Sequence, residues 1–264
     1  MEHITAIILG VVEGATEFIP VSSSGHLIIV REILGQNGVG DLSFDAVLQL
    51  SATLALIVYF WRDLMEIMVT FWSVITRKNI VEKEKTLLYS IAFGTIPAII
   101  FGLLLETKME TVFRNVELVS VTLILGSFLM WFAEKYSKRD KQLSVHRGII
   151  IGFFQCLALV PGVSRSGATI SGGLLTGLTK EEAVRFSFIL SIPILLGSGL
   201  KKLFDIYPSL VSSDIGLSLF LGSLSAFVVG LLSINFLIKY LRNHSLNVFV
   251  WYRVIIAVLI LTHI

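Results

Sequence analysis

The chain has 264 residues, of which 55% are hydrophobic and only 15% carry a charged side chain. This composition, with a mean hydropathy of +0.85, is too apolar for a soluble domain of this length and indicates a polytopic membrane protein. The net charge of +2 is too small to favour a nucleic-acid partner. The single cysteine, Cys156, excludes an internal disulfide and a paired-cysteine metal site.

The first predicted element is a broken apolar segment, with halves at residues 4–18 and 22–34 interrupted at Pro20. A polar sequence, EGATEFIPVSSSGH, occupies residues 13–26. Such a segment is typical of a re-entrant helical hairpin, because bare backbone at membrane depth must be enclosed by protein or line a wet cavity. Ionisable groups at that depth cost roughly 2.5 to 3.5 kcal/mol each, so we interpret this segment as a functional site.

Three long apolar stretches follow, a second broken segment comes next, and three more long stretches end the chain. The second broken segment has halves at 147–160 and 164–178, and it carries PGVSRSGAT at 161–169. The long stretches cover residues 44–61, 87–105, 118–134, 183–200, 216–238 and 248–263. Each can cross about 30 Å of hydrocarbon. We therefore predict an all-α polytopic membrane protein with six transmembrane helices and two re-entrant helical hairpins.

A shift of 142 positions superposes the two polar sequences. It aligns Gly10 with Gly152, Val21 with Val163, Ser22 with Ser164, Ser24 with Ser166, and Gly25 with Gly167. The chain then divides into a first repeat, 1–134, and a second, 147–264, within one integral membrane domain, 1–264. Each repeat has an odd number of crossings, which gives the two halves inverted topology. The alternative is that Val-Ser-x-Ser-Gly recurs by chance.

Charged residues predict the orientation independently of the repeat. Lys and Arg are concentrated in residues 62–86, 135–147 and 239–247, which fall on one side of the predicted topology. By the positive-inside rule this side is cytoplasmic, which places both termini outside. The first hairpin then enters from outside and the second from inside, and their polar tips are expected to meet near the midplane.

Glu13 and Glu17 are candidate metal ligands. Four residues apart on a helix, they lie on one face, where their carboxylates can share a hard divalent cation, Mg²⁺ or Ca²⁺. The alternatives are a proton-relay pair and two carboxylates satisfied within the core.

The serines predict an anion site. Pro20 ends one half-helix, and a following serine can cap the next one, which exposes the N–H groups of its first turn. Two such N-termini that meet from opposite sides suit a phosphate or a diphosphate. The candidate substrate-binding residues from this pattern are Ser22, Ser24, Gly25, Ser164, Ser166 and Gly167. Simple capping is the alternative for each serine.

Arg165, Ser23 and His26 are candidate catalytic residues, together with Glu17. The Arg165 guanidinium needs an anion and fits a pair of phosphoryl oxygens, although a structural ion pair would also explain it. His26 follows Ser23 by three residues on one helical face, so it can act as a base toward the serine hydroxyl or attack phosphorus directly. By contrast, we interpret Arg253 as a snorkelling or ion-paired residue near a span end.

The two polar sequences resemble the two signature motifs of the bacterial undecaprenyl-diphosphate phosphatase family of the bacitracin-resistance type, in which ExxxE and PGxSRSxxT are diagnostic. Residues that match these motifs are Glu13, Glu17, Ser23, His26, Ser164, Arg165, Ser166 and Thr169. The resemblance implies hydrolysis of undecaprenyl diphosphate to undecaprenyl phosphate, which recycles the lipid carrier for peptidoglycan synthesis and gives bacitracin resistance. It also implies a divalent-metal requirement, substrate contact at Thr169, and an active site in the bacterial cytoplasmic membrane that opens mainly to its outer face. The expected partners are the polyprenyl diphosphate, membrane lipids and a second copy of the chain in a homodimer.

Three other interpretations compete with hydrolysis. Inverted repeats with half-helix tips at the midplane are also how transporters are built, so a polyprenyl-phosphate transporter or flippase is the first. The second is a lipid phosphatase with PSGH and SRx5Hx3D motifs, but Ser171 and Leu175 stand where its histidine and aspartate should be. The third, a structural scaffold, gives no reason to bury two glutamates and an arginine.

Overall fold

The computed structural model describes residues 3–35, 41–111, 116–211 and 215–263. Within these ranges the regular secondary structure is entirely α-helical, which confirms the all-α prediction. The helices are α1 (His3–Thr16), α2 (Ser23–Ile33), α3 (Asp41–Tyr59), α4 (Trp61–Ile75), α5 (Glu82–Thr111), α6 (Val116–Tyr136), α7 (Val145–Leu157), α8 (Arg165–Leu175), α9 (Lys180–Val211), α10 (Ile215–Asn243) and α11 (Asn247–His263).

Long apolar helices confirm the polytopic membrane class. In the described ranges, four helices are long and apolar enough to cross a membrane, in α5, α6, α9 and α10. A fifth span results if α3 and α4, which are bent by 79° to each other, count as one. The sixth predicted span corresponds to α11, which at 17 residues lies at the short end of the range for a transmembrane helix.

Helix α4 occupies residues 62–75 of the stretch 62–86, which we predicted as a connection between two spans, so this part of the connection is helical and not a loop. Its cytoplasmic location stays a prediction. Exposed apolar side chains recur along it with helical spacing, at Trp61, Met65, Met68, Trp72 and Ile75. The sequence analysis missed this helical spacing because it considered only the basic residues of the stretch. If α3 crosses the membrane, the 79° bend lays α4 close to the membrane plane, which is typical of an interfacial amphipathic helix.

The two polar sequences fold as helix–turn–helix pairs, as predicted. The first pair is α1 with α2, and the second is α7 with α8; α2 and α8 are both 11 residues long. They begin at Ser23 and Arg165, which are 142 positions apart, the offset of the proposed duplication. The depth of the pairs in a membrane, the division at 1–134 and 147–264, and the inverted orientation of the halves stay predictions.

The short helices α1 and α7 each pack against a long helix from the other half of the chain. Helix α1 lies along α10, where a Cβ added at Gly10 would come within 2.1 Å of the Gly222 carbonyl oxygen. Helix α7 lies along α5, where a Cβ added at Gly152 would come equally close, 2.1 Å, to the carbonyl oxygen of Gly94. The glycines thus bring the backbones together and hold both helix pairs inside the bundle.

Candidate active site

The site begins with two serine caps that have the same geometry. Ser22 caps α2, and its hydroxyl accepts a hydrogen bond from the N–H of Gly25 at 3.3 Å. Ser164 caps α8, and its hydroxyl accepts from the N–H of Gly167 at 3.2 Å. Both serines have positive φ, 77° and 73°, a strained conformation for a residue with a side chain. Such strain at matching positions is typical of functional sites, and the cap bonds offset part of its cost.

The two caps belong to loops that contact each other, the first loop at residues 17–22 and the second loop at residues 158–164. The N–H of Gly162 in the second loop donates to the Ser22 hydroxyl in the first at 3.1 Å. The predicted substrate-binding serines cluster here, since the hydroxyls of Ser22 and Ser24 lie 3.4 Å apart and those of Ser164 and Ser166 lie 3.2 Å apart. The N-termini of α2 and α8 therefore share one hydroxyl-rich region, in which Ser24 is exposed and the other three serines are buried, and their dipoles favour negative charge there.

Glu17 is the centre of the charged part of the site. Its carboxylate accepts hydrogen bonds from the Ser23 hydroxyl and from the Arg165 guanidinium, and the Gln49 amide donates to it at 3.4 Å. The Glu17 side chain is 3% exposed and that of Arg165 is 14% exposed. Three candidate catalytic residues, Ser23, Glu17 and Arg165, thus meet in one cluster.

Glu13 lies one helical turn before Glu17 and is 1% exposed. One of its carboxylate oxygens, Oε1, is buried without a hydrogen-bond partner among the described residues, while Asp45 and Arg165 act on the carboxylate electrostatically. Asp45 in turn binds Arg31 of α2 in a largely buried ion pair that sequence reasoning missed. An orphaned carboxylate oxygen beside a second carboxylate is a donor set that a hard cation accepts.

The donor set is small, however. Across the described ranges, no three His, Cys, Asp or Glu side chains gather closely enough to hold a metal by themselves. Mg²⁺ commonly uses only one or two protein carboxylates and completes its octahedron with substrate phosphates and water. Glu13 and Glu17 fit that pattern, and the divalent cation stays a prediction.

His26 is held by two partners, neither of which is Ser23. Its Nδ1 lies 2.8 Å from the Ser22 carbonyl oxygen, and its Nε2 lies 2.8 Å from the Tyr252 hydroxyl. Because a carbonyl only accepts, Nδ1 carries the proton and Nε2 of the neutral ring accepts from Tyr252. The two rings also stack, with centroids 5.6 Å apart. The expected His26-to-Ser23 hydrogen bond is absent from these contacts, since the serine hydroxyl donates to Glu17 instead.

Two serines of α9 line the other side of the site, and the buried Thr169 contacts one of them. The Thr169 hydroxyl donates to the Arg165 carbonyl at 2.8 Å and is hydrogen-bonded to the Ser187 hydroxyl. Ser187 and Ser191, one turn apart, line a narrow cleft together with Glu17 and Arg165. Sequence reasoning missed both serines, because two hydroxyls in a long apolar helix give only a weak signal.

Arg253 is where the sequence interpretation fails. We assigned it to snorkelling or an ion pair near a span end, but it is 0% exposed and donates to backbone carbonyls of both loops. The prediction considered only its position along α11. It could not include the packing of α11 against α6, which turns this side chain into the interior.

Fold and site together define a polytopic membrane protein in which two broken helix pairs enclose a buried ionic site with many hydroxyls. A family model described as bacitracin resistance protein BacA matches residues 6–259. The chain is 40% identical to undecaprenyl-diphosphatase of Corynebacterium efficiens over 265 residues. The aligned region covers 99% of this chain and 90% of that protein. It is 40% identical over 263 residues to undecaprenyl-diphosphatase of Moorella thermoacetica (98% and 97% coverage), and 38% over 273 residues to that of Chloroherpeton thalassium (99% and 96%).

The chain therefore belongs to the bacitracin resistance protein BacA family. This confirms the family resemblance found in the two polar sequences, because the match spans nearly the whole chain and not the motifs alone. The individual roles of the site residues stay predictions.

Proposed function

We propose that the protein hydrolyses undecaprenyl diphosphate to undecaprenyl phosphate and inorganic phosphate. The observation that carries the proposal is identity of about 40% to undecaprenyl-diphosphatases over 98–99% of the chain. The reaction recycles the lipid carrier for peptidoglycan and other envelope polymers. Bacitracin resistance follows as a consequence of the same activity.

The diphosphate binds between the N-termini of α2 and α8. The N–H groups of the first turns and the hydroxyls near them surround a region that favours an anion with several oxygens. Arg165 offers a planar fork of N–H donors, which matches two phosphoryl oxygens. The substrate-binding residues in this proposal are Ser22, Ser24, Gly25, Ser164, Ser166, Gly167 and Thr169.

Ser23 is the nucleophile that the contacts favour. Its hydroxyl donates to Glu17, so the proton has an acceptor in place when the oxygen attacks the terminal phosphorus in line. The bond to the bridging oxygen then breaks, and undecaprenyl phosphate leaves. Glu17 passes the Ser23 proton to the departing undecaprenyl phosphate and is a carboxylate again. It then takes one proton from the water that attacks the phosphoserine, and it returns that proton to the Ser23 oxygen as inorganic phosphate is released. Arg165 stabilises the charge on the phosphoryl oxygens in both steps.

His26 as direct nucleophile is the competing mechanism. Its Nε2 has the free lone pair that attack requires, but that nitrogen is hydrogen-bonded to Tyr252. The attack would therefore need the Tyr252 hydroxyl to move first. The mechanism through Ser23 needs no such rearrangement.

Glu13 and Glu17 would hold the divalent cation, Mg²⁺ or Ca²⁺. The chemistry that such a cation supplies when bound is charge neutralisation on the diphosphate oxygens. The orphaned Oε1 of Glu13 supports this role. We expect a chelator to inhibit phosphate release by the wild type. In Glu13→Gln the inhibition should be weaker, while the amount of folded protein is unchanged.

The protein acts in the bacterial cytoplasmic membrane, with both termini outside and the active site open mainly to the outer face. The support for this orientation is the concentration of basic residues in 62–86, 135–147 and 239–247. A homodimer is part of the proposal, and the mass of the protein in detergent tests it.

The second candidate function is transport of the polyprenyl phosphate. Packing of α1 on α10 and of α7 on α5 interleaves the two halves, as in transporters built from repeats. Transport needs two compartments, but hydrolysis does not. Phosphate release by purified protein in detergent therefore identifies hydrolysis irrespective of any transport.

The decisive experiment measures phosphate release from C55 and shorter polyprenyl diphosphates, with and without chelator. Wild type is compared with Ser23→Ala, Glu17→Gln and the control Glu66→Gln, whose carboxylate lies exposed on α4. We expect both site variants to lose at least 100-fold in kcat, about the size of removing a nucleophile or its proton acceptor, and the control to match wild type. Near-normal turnover in Ser23→Ala, with none in His26→Ala, would overturn the serine mechanism.

A further inference from the structure

Arg253 is a fully buried cation whose hydrogen bonds, in the part of the chain that the structure describes, go to carbonyl and hydroxyl oxygens. Its Nη1 donates to the Pro20 carbonyl at 3.2 Å, and its Nη2 donates to the Gly162 carbonyl at 2.8 Å. On α6, the guanidinium also reaches the Leu123 carbonyl at 3.2 Å and the Ser127 hydroxyl at 3.1 Å. A charge at this depth is expensive, so an apolar residue would serve better if the position only required packing.

The two loop carbonyls that Arg253 binds occupy equivalent positions. Pro20 precedes the cap Ser22 by two residues, and Gly162 precedes the cap Ser164 by two residues. Pro20 and Gly162 are also 142 positions apart, the offset that superposes the two polar sequences. One guanidinium thus connects the same point of both loops, immediately before the helices that begin the anion site.

The backbone around the guanidinium leaves room for this arrangement. A Cβ added at Gly126 of α6 would lie 2.2 Å from Nη2 of Arg253 and 2.8 Å from the Val163 carbonyl oxygen. Gly162 itself has a φ of +94°, which favours glycine. Both glycines are therefore needed where the arginine, α6 and the second loop approach one another.

We infer that Arg253 is a positioning residue that fixes the N-termini of α2 and α8 relative to each other. Ser23 is the first residue of α2 and Arg165 is the first residue of α8. Their meeting at Glu17 therefore depends on the distance between the two loops, which Arg253 sets together with the bond from Gly162 to Ser22. The effect on catalysis rests on the proposed function, but the effect on the loops does not.

The test combines kinetics with hydrogen exchange in the full-length protein in detergent. Arg253→Lys keeps the charge, but a compact ammonium with three donors cannot span the four oxygens that the planar guanidinium reaches. We expect kcat for undecaprenyl diphosphate to fall about 10- to 100-fold, as for a displacement of about 1 Å in a catalytic group, with KM changed less than about threefold. Backbone N–H exchange should rise in both loops together, in segments 19–26 and 160–168.

A double-mutant cycle separates positioning from general stability. If Arg253 acts by orienting Arg165, the loss from Arg253→Lys should shrink in an Arg165→Lys background, since the two residues contribute to one arrangement. The matched control is Arg242→Lys, which alters an exposed ion pair between α10 and Glu181 of α9. This control should keep wild-type kcat and wild-type exchange in both loops.

Three results would overturn the inference. The first is a folded Arg253→Lys with unchanged kcat, and the second is faster exchange in only one loop, or only in α6 and α11. The third is that the losses in the double-mutant cycle are additive. Arg253→Met, which leaves both loop carbonyls without this donor, is measured in parallel. Should it fail to fold, the lysine variant still carries the test, because it retains the charge and most of the volume. If the wild type releases no phosphate from undecaprenyl diphosphate, the proposed function fails. The exchange comparison then still decides whether Arg253 fixes the two loops.

Discussion

Removal of the positive partner from the buried Arg165–Glu17 pair should destabilise the protein and abolish its activity. In Arg165→Met the Glu17 carboxylate, whose side chain is 3% exposed, keeps the Ser23 hydroxyl and the Gln49 amide as its donors within the described part of the chain. An unpaired buried charge costs about 3–5 kcal/mol, and the two remaining donors favour the lower end, about 3 kcal/mol. Adding Glu17→Gln removes the charge that was left without its partner. The double variant should therefore be more stable than Arg165→Met alone, yet remain inactive.

The assay is denaturant-induced unfolding in detergent, combined with phosphate release from undecaprenyl diphosphate. The control is Arg242→Met, which breaks the exposed pair with Glu181, whose two side chains are 57% and 63% exposed. Exposed pairs contribute at most about 1 kcal/mol, so this variant should unfold close to wild type. A loss below about 1 kcal/mol in Arg165→Met, or a double variant as unstable as the single one, would refute the reasoning from burial.

Three further predictions test the remaining contacts. Tyr252→Phe removes the hydroxyl that is hydrogen-bonded to His26. This loss should change kcat by about two- to tenfold and alter the pH profile of kcat. An unchanged profile would argue against a role for the contact. Gly10→Ala forces a Cβ onto a facing backbone carbonyl and should destabilise by about 1–3 kcal/mol in unfolding experiments, whereas Gly197→Ala, with open space around it, should cost far less. In a cysteine-free background, Arg77→Cys should react with impermeant thiol reagents only in inside-out vesicles, and labelling of intact cells would invert the proposed topology.

The broken helices could be predicted because their causes are local. Pro20 and the Pro161-Gly162 pair interrupt the helical backbone, and a serine at the right distance caps the next helix. The structure begins α2 and α8 at Ser23 and Arg165, immediately after the caps Ser22 and Ser164. Each of these signals acts within a few residues, so neighbouring positions in the chain suffice to interpret it.

Contacts between distant residues could not be predicted in the same way. Tyr252, one of the two partners of His26, is 226 positions away, and the arginine that binds the Pro20 carbonyl is 233 positions away. Arg253 has the same neighbours in sequence whether it faces lipid or the interior. Helix α4 was missed because the sequence analysis considered only the basic residues of 62–86.

The sequence by itself determined the membrane class, the family, the two interrupted helices and the residue types of the candidate site, since these depend on composition, local backbone preferences and motif spacing. Only the tertiary structure decided which groups meet. It joined Ser23 to Glu17 and not to His26, and it turned Arg253 toward both loops. The physical reason is that a hydrogen bond depends on distances of about 3 Å between atoms, and the packing of whole helices sets those distances.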